Sequence, residues 1–391
     1  MPANRLILGD NREVLARLQR QDRERFRLAY LDPPFNTGRR FDEYDDRASP
    51  EAWTSRIEET LGALLPLVRD DGAIAVEIDD TELGALLVLM DRLLGRAQRI
   101  SVITIVRSAA TGHKAINRGP VNVADYLLVY AKDRARFAPN ALVVAREGLD
   151  PAYSTYVSDP SSTKPAFSPL AREVASRLGF ASALAARRSL GADAFRREVE
   201  RFALGNAAHV VRFAQPRFEA IGKRARAIVL RSRAAPEKVM RLARPGYKDF
   251  IVRGGNRMLL LGDKVRTIAG EPRVVESLTN VWDDIGFQGI AKEGGVRFVR
   301  NKKPERLLER VLELCTDRGD WVIDPYAGSG TTAAVAHKLG RRWVGIEREP
   351  AVWDRANERL GRVVRGEDPT GISVRVAWTG GGAFDAVGRS P

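Results

Sequence analysis

Residues 28–38 read LAYLDPPFNTG: an apolar run ends in Asp32, and Pro33, Pro34 and Phe35 follow directly. Two adjacent prolines lock φ and remove two backbone donors, so neither a helix nor a central strand continues through them. A carboxylate and an aromatic ring are thereby held on a stiff turn. Gly or Asn would have satisfied the turn alone, so the acidic and aromatic side chains point to chemistry rather than to chain reversal.

A second constellation lies near the other end, in WVIDPYAGSGTTAAVAHKLGRRWVGIE from Trp321 to Glu347. A strand ends at Asp324, a Gly-rich turn follows, and a helix begins. Gly328 and Gly330 allow close backbone approach, and the opening N–H groups of the helix favour an anionic group. A further strand ends in Glu347, where a carboxylate can accept hydrogen bonds from two ribose hydroxyls. This describes a nucleoside site. A phosphate-cradling NTPase loop needs Lys before its hydroxyl residue, whereas Gly330 precedes Thr331. A nicotinamide site is formally matched by Gly328, Gly330 and Ala333 as G-x-G-x-x-A, but too few residues follow for a second mononucleotide half. S-adenosylmethionine, with one ribose and a methionine carboxylate, fits Asp324, the Gly turn and Glu347.

Taken together, Asp32-Pro33-Pro34-Phe35 with Asn36-Thr37-Gly38 resembles the catalytic motif of the amino-methylating DNA methyltransferases, and Asp324 through Thr332 resembles their cofactor motif. The catalytic motif comes first and the cofactor motif last, with a basic segment between, which is the order of the β-class. Within that class the chain is most similar to the modification subunits of type III restriction systems. VWDDIG (281–286), NKKPERLL (301–308) and DGAIAVEIDDTE (71–82) look like further family segments. The resemblance implies a Rossmann-like α/β fold, a mostly parallel twisted sheet with helices on both faces, in circularly permuted motif order with an inserted basic target-recognition domain. It implies methyl transfer from S-adenosylmethionine to the exocyclic amine of a flipped base, adenine N6 in the Asp-Pro-Pro-aromatic form, with cytosine N4 as the alternative. A methyltransferase-like protein that binds nucleic acid without catalysis is a further class, disfavoured by the intact Asp32 and Gly turn.

By this resemblance the chemistry is as follows. The lone pair of such an amine is delocalised into the ring. Asp32 and the Pro33 carbonyl would each accept one of its hydrogens, with Pro34 stiffening the turn, and so free the pair. Phe35 would stack on the flipped base. Cofactor contacts would come from Asp10 beside the adenine, from Lys303 and Pro304 near the methionine end, and from Asp32, Asp324, Tyr326, Ala327, Gly328, Gly330, Thr331, Thr332 and Glu347. Thr111, Gly112 and His113 read as a surface loop, and Trp282 as core or interface.

Strands and helices must position these groups. Residues 1–135 alternate strand-like runs (NRLILG, FRLAYL, AIAVEI, ISVITIV, ADYLLVYAK) with helical patterns, including NREVLARLQRQ with Asn11 as a cap and PEAWTSRIEETLGALLPLVRD broken at Asp70-Asp71-Gly72. This is the expected catalytic half. Residues 136–275 mix Pro, Ser, Ala and Arg with short helical stretches, a less regular region. The rhythm returns over 276–366, the cofactor half, and 367–391 reads as a frayed tail.

The 391 residues exceed one ordinary core. A composition of 44% hydrophobic and 29% charged residues, with no run of membrane-span length, reads as soluble and globular. MPANRLILGD does not read as a signal peptide. One cysteine, Cys315, and three scattered histidines compose neither a disulfide nor a zinc cluster, so a reducing cytoplasm is expected, with nucleoid association through DNA and no metal. The whole formal excess of +14 lies in residues 136–275, with 26 Lys and Arg against 12 Asp and Glu. Such a segment follows a polyanion. The clusters Lys223-Arg224-Arg226, Arg231-Arg233 and Arg241-Arg244 are the expected contacts to double-stranded DNA. A homodimer and a restriction subunit are expected as possible partners; the chain is short beside type III modification subunits, which also fits a solitary enzyme.

Overall fold

The computed structural model describes residues 4–37, 39–40, 45–46, 48–108, 119–268, 270–296 and 302–388. The 111–113 loop, Gly38 and Asn301 lie outside them. The chain forms two compact units, Met1–Leu142 with Thr279–Pro391, and Val143–Leu278.

The first unit is built on a nine-stranded sheet. Its strands are β1 Asn4–Leu8, β2 Phe26–Leu31, β3 Val68–Ile78, β4 Arg99–Val106, β5 Ala124–Ala131, β6 Val281–Trp282, β7 Trp321–Asp324, β8 Arg342–Glu347 and β9 Phe384–Val387, in the spatial order β6-β4-β5-β3-β2-β7-β8-β1-β9. Every neighbouring pair is parallel except those of β5, which runs antiparallel to β3 and β4. Residues 28–31 and 73–78 are buried without interruption, the pattern of parallel strands covered on both faces.

The covering helices are α1 Asn11–Leu18, α2 Pro50–Leu64, α3 Leu83–Met90, α4 Glu305–Cys315, α5 Thr331–Lys338 and α6 Pro350–Arg365. In α2, Ser49 caps the Ala52 N–H at 3.2 Å, Pro50 opens the first turn, and Trp53, Ile57, Thr60, Leu61 and Leu64 form the buried stripe. No helix among the described residues is long and apolar enough to cross a membrane.

This topology decides where a ligand can sit. From β2 the chain moves to β3 on one side; from β7 it moves to β8 on the other. The two connections diverge and leave a crevice at the carboxyl ends of β2 and β7, the switch point at which open α/β sheets bind ligands. The order is permuted, since the Asp32 strand precedes the Asp324 strand in sequence.

Three expectations are corrected. Asp10, not Asn11, caps α1: its carboxylate accepts the Arg12 N–H at 3.0 Å. Asp70–Gly72 do not break the helix, which already ends at Leu64, but form a bulge within β3, where the pairing jumps from Phe26–Val68 to Leu28–Ala73. Gly72 is required there, because a Cβ would lie 2.7 Å from Val68 and 2.9 Å from the Arg27 and Arg69 carbonyls. The tail is not frayed throughout, since Phe384–Val387 pairs in parallel with β1.

The second unit is more regular than its composition suggests. Six strands form an antiparallel sheet: 167–169, 155–157, 210–214, 256–260, 247–253 and 239–244, in that order. The helix Lys223–Ala234 packs Ala225, Ile228 and Val229 against Phe250 and Val252 of this sheet. The unit holds 25 Lys and Arg against 13 Asp and Glu.

Candidate active site

Asp32 leaves the end of β2, and the turn after it is fixed from several sides. The Trp53 indole donates to the Pro34 carbonyl at 2.6 Å. Asn36 is left-handed, with φ of 59°, a conformation Asn tolerates better than most residues. Its side chain donates to Glu82 at 2.7 Å and accepts from the Ala48 N–H at 2.9 Å. The turn is thus braced by helix α2 and by the residue that precedes α3, as well as by its prolines.

The Lys303 ammonium lies 3.2 Å from Asp32 Oδ1, 2.8 Å from Glu77 Oε1, and 4.5 Å from the centre of the Phe35 ring. Glu77 sits in β3, fully buried, and accepts a second hydrogen bond from Tyr30 at 2.6 Å. Burial drives the Asp32 pKa above the ordinary carboxylate range; Lys303 opposes this, and Glu77 adds to it. Burial also works against the Lys303 charge, but Asp32, Glu77 and Asp125 outweigh it and hold its pKa above the usual value. The family resemblance implies Lys303 near the methionine end of the cofactor; in the structure its head group engages Asp32 and Glu77. Glu77 escaped sequence reading, although a lone acid in the buried run AIAVEI was its signal.

The Gly-rich turn follows β7, one strand away. Ile323 pairs with Ala29, so Asp324 and the turn after it run beside the Asp32 strand. Asp324 accepts the Tyr326 N–H at 2.9 Å, and burial pushes its pKa up to about 7 despite that bond and the Thr332 hydroxyl. Gly328 (φ 50°) and Gly330 (φ 73°) are left-handed, and a Cβ on Gly330 would press on Ala356 at 3.3 Å. Glu347 ends β8; its two carboxylate oxygens accept the Gly328 N–H at 2.9 Å and the Glu349 N–H at 2.8 Å. Burial raises its pKa, against those backbone donors. Asn11 donates to the Pro325 carbonyl at 3.4 Å and Gly9 N–H to the Glu347 carbonyl at 2.9 Å, which brings the Asp10 turn to the same edge. The Arg12 guanidinium holds the Asp10 carboxyl below its ordinary range.

These residues fit a nucleoside cofactor. Beside Gly328 a Cβ would meet only the Tyr326 carbonyl, at 3.8 Å, so backbone there is open to close approach. The Glu347 oxygens each keep acceptor capacity after one backbone bond, as a ribose diol requires. The hydroxyls of Thr331 and Thr332 serve the protein instead. Thr331 accepts from Arg359 at 2.7 Å, and Thr332 bonds Asp324. The Tyr326 hydroxyl meets Thr60 of α2 at 3.2 Å. Pro304 caps α4 without a side-chain bond, and Trp282 is buried, its indole donating to the Thr279 carbonyl at 2.9 Å.

Beneath the Gly turn lies an ionic network the sequence did not reveal. Arg359 donates to Glu305 at 2.8 Å and to Thr331; Lys338 donates to Glu305 at 2.7 Å and to Asp368 at 2.6 Å. The Lys338, Glu305, Arg359 and Asp368 side chains are all fully buried.

In the second unit, Lys223, Arg224, Arg226, Arg231 and Arg233 are exposed on the helix that carries them. Arg226 bonds the Ile221 carbonyl at 2.9 Å, and Arg233 lies 5.5 Å over Phe218. Arg241 bonds the Pro160 carbonyl, and Arg244 bonds the Lys248 carbonyl at 2.9 Å while covering Tyr247 and Phe250. Arg241 and Arg244 are therefore each held to a backbone carbonyl of the same unit, as Arg226 also is.

The chain is 28% identical over 414 aligned residues to the "Probable type III restriction-modification enzyme HindVI Mod subunit" of Haemophilus influenzae, covering 98% of this chain and 53% of that one. It is 32% identical over 32% of its length to the type II methyltransferase M.KpnI of Klebsiella pneumoniae (32% of that chain). It is 49% identical over 22% of its length to the type II methyltransferase M2.DpnII of Streptococcus pneumoniae (31% of that chain). The chain thus spans about half, or less, of the length of these relatives. A family model described as DNA methylase matches residues 26–172 and 257–358, taking in the Asp32 turn, Glu77, Lys303, the Gly turn and Glu347. By that match, the chain belongs to the DNA methylase family.

Proposed function

We propose that this chain transfers a methyl group from S-adenosylmethionine to the exocyclic amine of a base in double-stranded DNA, adenine N6 in the first instance. The observation that carries the reading is the placement of two turns at one switch point: the rigid Asp32-Pro33-Pro34-Phe35 turn and the Gly328–Gly330 turn with Glu347 lie at the ends of adjacent parallel strands. Glu347 would hold the ribose, Asp10 the adenine side, and the backbone around Gly328 the methionine portion. When bound, the cofactor supplies an electrophilic methyl group.

The chain's own residues then act on the amine. Asp32 accepts one N–H and the Pro33 carbonyl the other, drawing the nitrogen toward tetrahedral geometry and exposing its lone pair. Bracing of the turn by Trp53 and Asn36 means that little reorganisation is needed. Phe35 offers a face for the base. Methylation at a ring carbon would instead need a nucleophile such as a thiolate. The sole cysteine, Cys315, is buried in α4 with its pKa pushed up to about 12, which favours amine chemistry. The basic unit would supply phosphate contacts and target recognition. Kinship to a restriction-modification subunit supports a role in such a system, with a restriction subunit as partner.

The test is methyl-group incorporation from labelled cofactor into duplex DNA. Wild-type protein should incorporate label, and Asp32→Ala should lose roughly 10²-fold or more in rate, the scale for removing one preorganised polar group. Glu347→Ala should weaken cofactor binding by about 1–3 kcal/mol, measured by calorimetry. Binding of NADH in place of S-adenosylmethionine would overturn the reading.

A further inference from the structure

Lys303 bridges two carboxylates that have different exposure and different tasks. Asp32 is one-fifth exposed at the crevice, whereas Glu77 is fully buried in the neighbouring strand. We propose that Glu77 and Lys303 form a charged clamp in which Glu77 anchors the Lys303 ammonium, and the ammonium positions Asp32 and favours its ionised, hydrogen-bond-accepting form. The inference rests on the methyltransferase reading above.

The geometry assigns each member its part. A buried carboxylate needs a cation or several donors, and Glu77 has the Lys303 ammonium at 2.8 Å and the Tyr30 hydroxyl at 2.6 Å. Glu77 thereby anchors the ammonium at a fixed place in the sheet. From that anchor the ammonium reaches Asp32 Oδ1 at 3.2 Å, which fixes the carboxylate's orientation and leaves Oδ2 to meet an amine hydrogen. The same ammonium lies against the face of Phe35, so the ring that would receive the base is set by the same group.

Charge follows geometry. The groups bearing on Asp32 are Lys303 ahead of α4, Glu77 in β3 and Asp324 in β7, while Tyr30 in β2 bonds Glu77. Asp125 of β5, paired with Arg107 at 2.9 Å, bears on Lys303. Lys303 is the cation closest to Asp32 within a set dominated by carboxylates. Removing it leaves Asp32 among like charges and favours the protonated form, which is a weaker acceptor for the amine hydrogen and carries no charge to stabilise the nitrogen as it becomes cationic. Neutralising Glu77 removes a like charge and leaves Lys303 to Asp32.

The sign of each change is therefore fixed. Activity requires ionised Asp32, so it is lost as pH falls through the Asp32 pKa. Lys303→Met should move this acid limb to higher pH, by one unit or more. Glu77→Gln should move it to lower pH. Because Lys303→Met strands a buried carboxylate, the pair Glu77→Gln and Glu77→Gln/Lys303→Met provides a comparison without that defect. The double variant should show its limb at higher pH than Glu77→Gln alone.

The experiment is the single-turnover methyl-transfer rate against pH, at saturating S-adenosylmethionine and duplex DNA, with cofactor affinity measured on the same proteins. Displaced limbs in the stated directions, and a limb returned toward wild type by Lys303→Arg, support the clamp. Coincident limbs in Glu77→Gln and the double variant overturn it, as does a Lys303→Met protein whose only change is a cofactor affinity lowered tenfold or more. A wild-type protein that binds cofactor but methylates no DNA would instead remove the activity on which the clamp rests.

Discussion

At the scale of single residues, the carboxylates at the crevice do not share one fate, and burial is what separates them. Asp10 is paired with Arg12 and held below its ordinary range; Asp324 is enclosed and raised to about 7. The second shift has a consequence for stability. Between pH of about 4 and 7 the folded protein retains on Asp324 a proton that the unfolded chain has released, so stability falls as pH rises through that window. Asp324→Asn should abolish this component: its melting temperature relative to wild type should rise from pH 5 to pH 8, while its affinity for S-adenosylmethionine drops. A difference in melting temperature that is flat with pH would show that Asp324 stays ionised in the fold. Asp32 and Asp324 could be found in the sequence because each closes a strand-like run next to a Pro-Pro or Gly-rich turn, and Glu347 because it closes the next strand-like run after the Gly turn and its helix; such local spacing is written in consecutive residues. Glu77 and Lys303 could not be paired that way, since 226 positions separate them and only the sheet brings them together.

At the scale of elements, the Gly-rich turn depends on support from beneath. Arg359 of α6 reaches Thr331 and Glu305, and Glu305 in turn holds Lys338 of α5 and accepts the Ile372 N–H at 3.0 Å. One ionic cluster therefore ties α4, α5, α6 and the segment after α6 to the Gly-rich turn. Removing a single charge from such a cluster leaves its partner buried and uncompensated, a loss of about 3–5 kcal/mol. Arg359→Met should show this in the urea midpoint and should also weaken cofactor binding through the turn. A midpoint within about 0.5 kcal/mol of wild type would mean the cluster is dispensable. The α/β rhythm of this unit was legible because strand and helix periods differ, and runs such as FRLAYL and PERLLERVLELC declare themselves. The β3 bulge was not, because Asp-Asp-Gly is written alike in a turn and in a bulge. Nor was the six-stranded sheet of the second unit, whose short strands lie between Arg- and Pro-containing stretches that mask a period of two.

At the scale of the whole molecule, the charge is divided between the two units. The Val143–Leu278 unit carries most of the excess, and its helix Lys223–Ala234 exposes basic residues opposite the stripe it buries. If this unit contacts phosphates, replacing Lys223, Arg224 and Arg226 by Gln should weaken DNA binding and flatten the salt dependence by roughly one unit per lost contact. Cofactor affinity should be unchanged, because none of the residues proposed to hold the cofactor lies in the unit. A changed sequence preference with an unaltered salt slope would instead assign the cluster to base reading. The proposal is that the Asp32 turn and the Gly-rich turn with Glu347 together methylate an exocyclic amine. It is tested most directly by treating unmethylated plasmid DNA with the purified protein and S-adenosylmethionine, then identifying the modified nucleoside by mass spectrometry. The account predicts N6-methyladenine, absent with Asp32→Ala; N4-methylcytosine would keep the mechanism and correct the base. Recovery of 5-methylcytosine, or of no methylated nucleoside from protein that binds both DNA and cofactor, would contradict it.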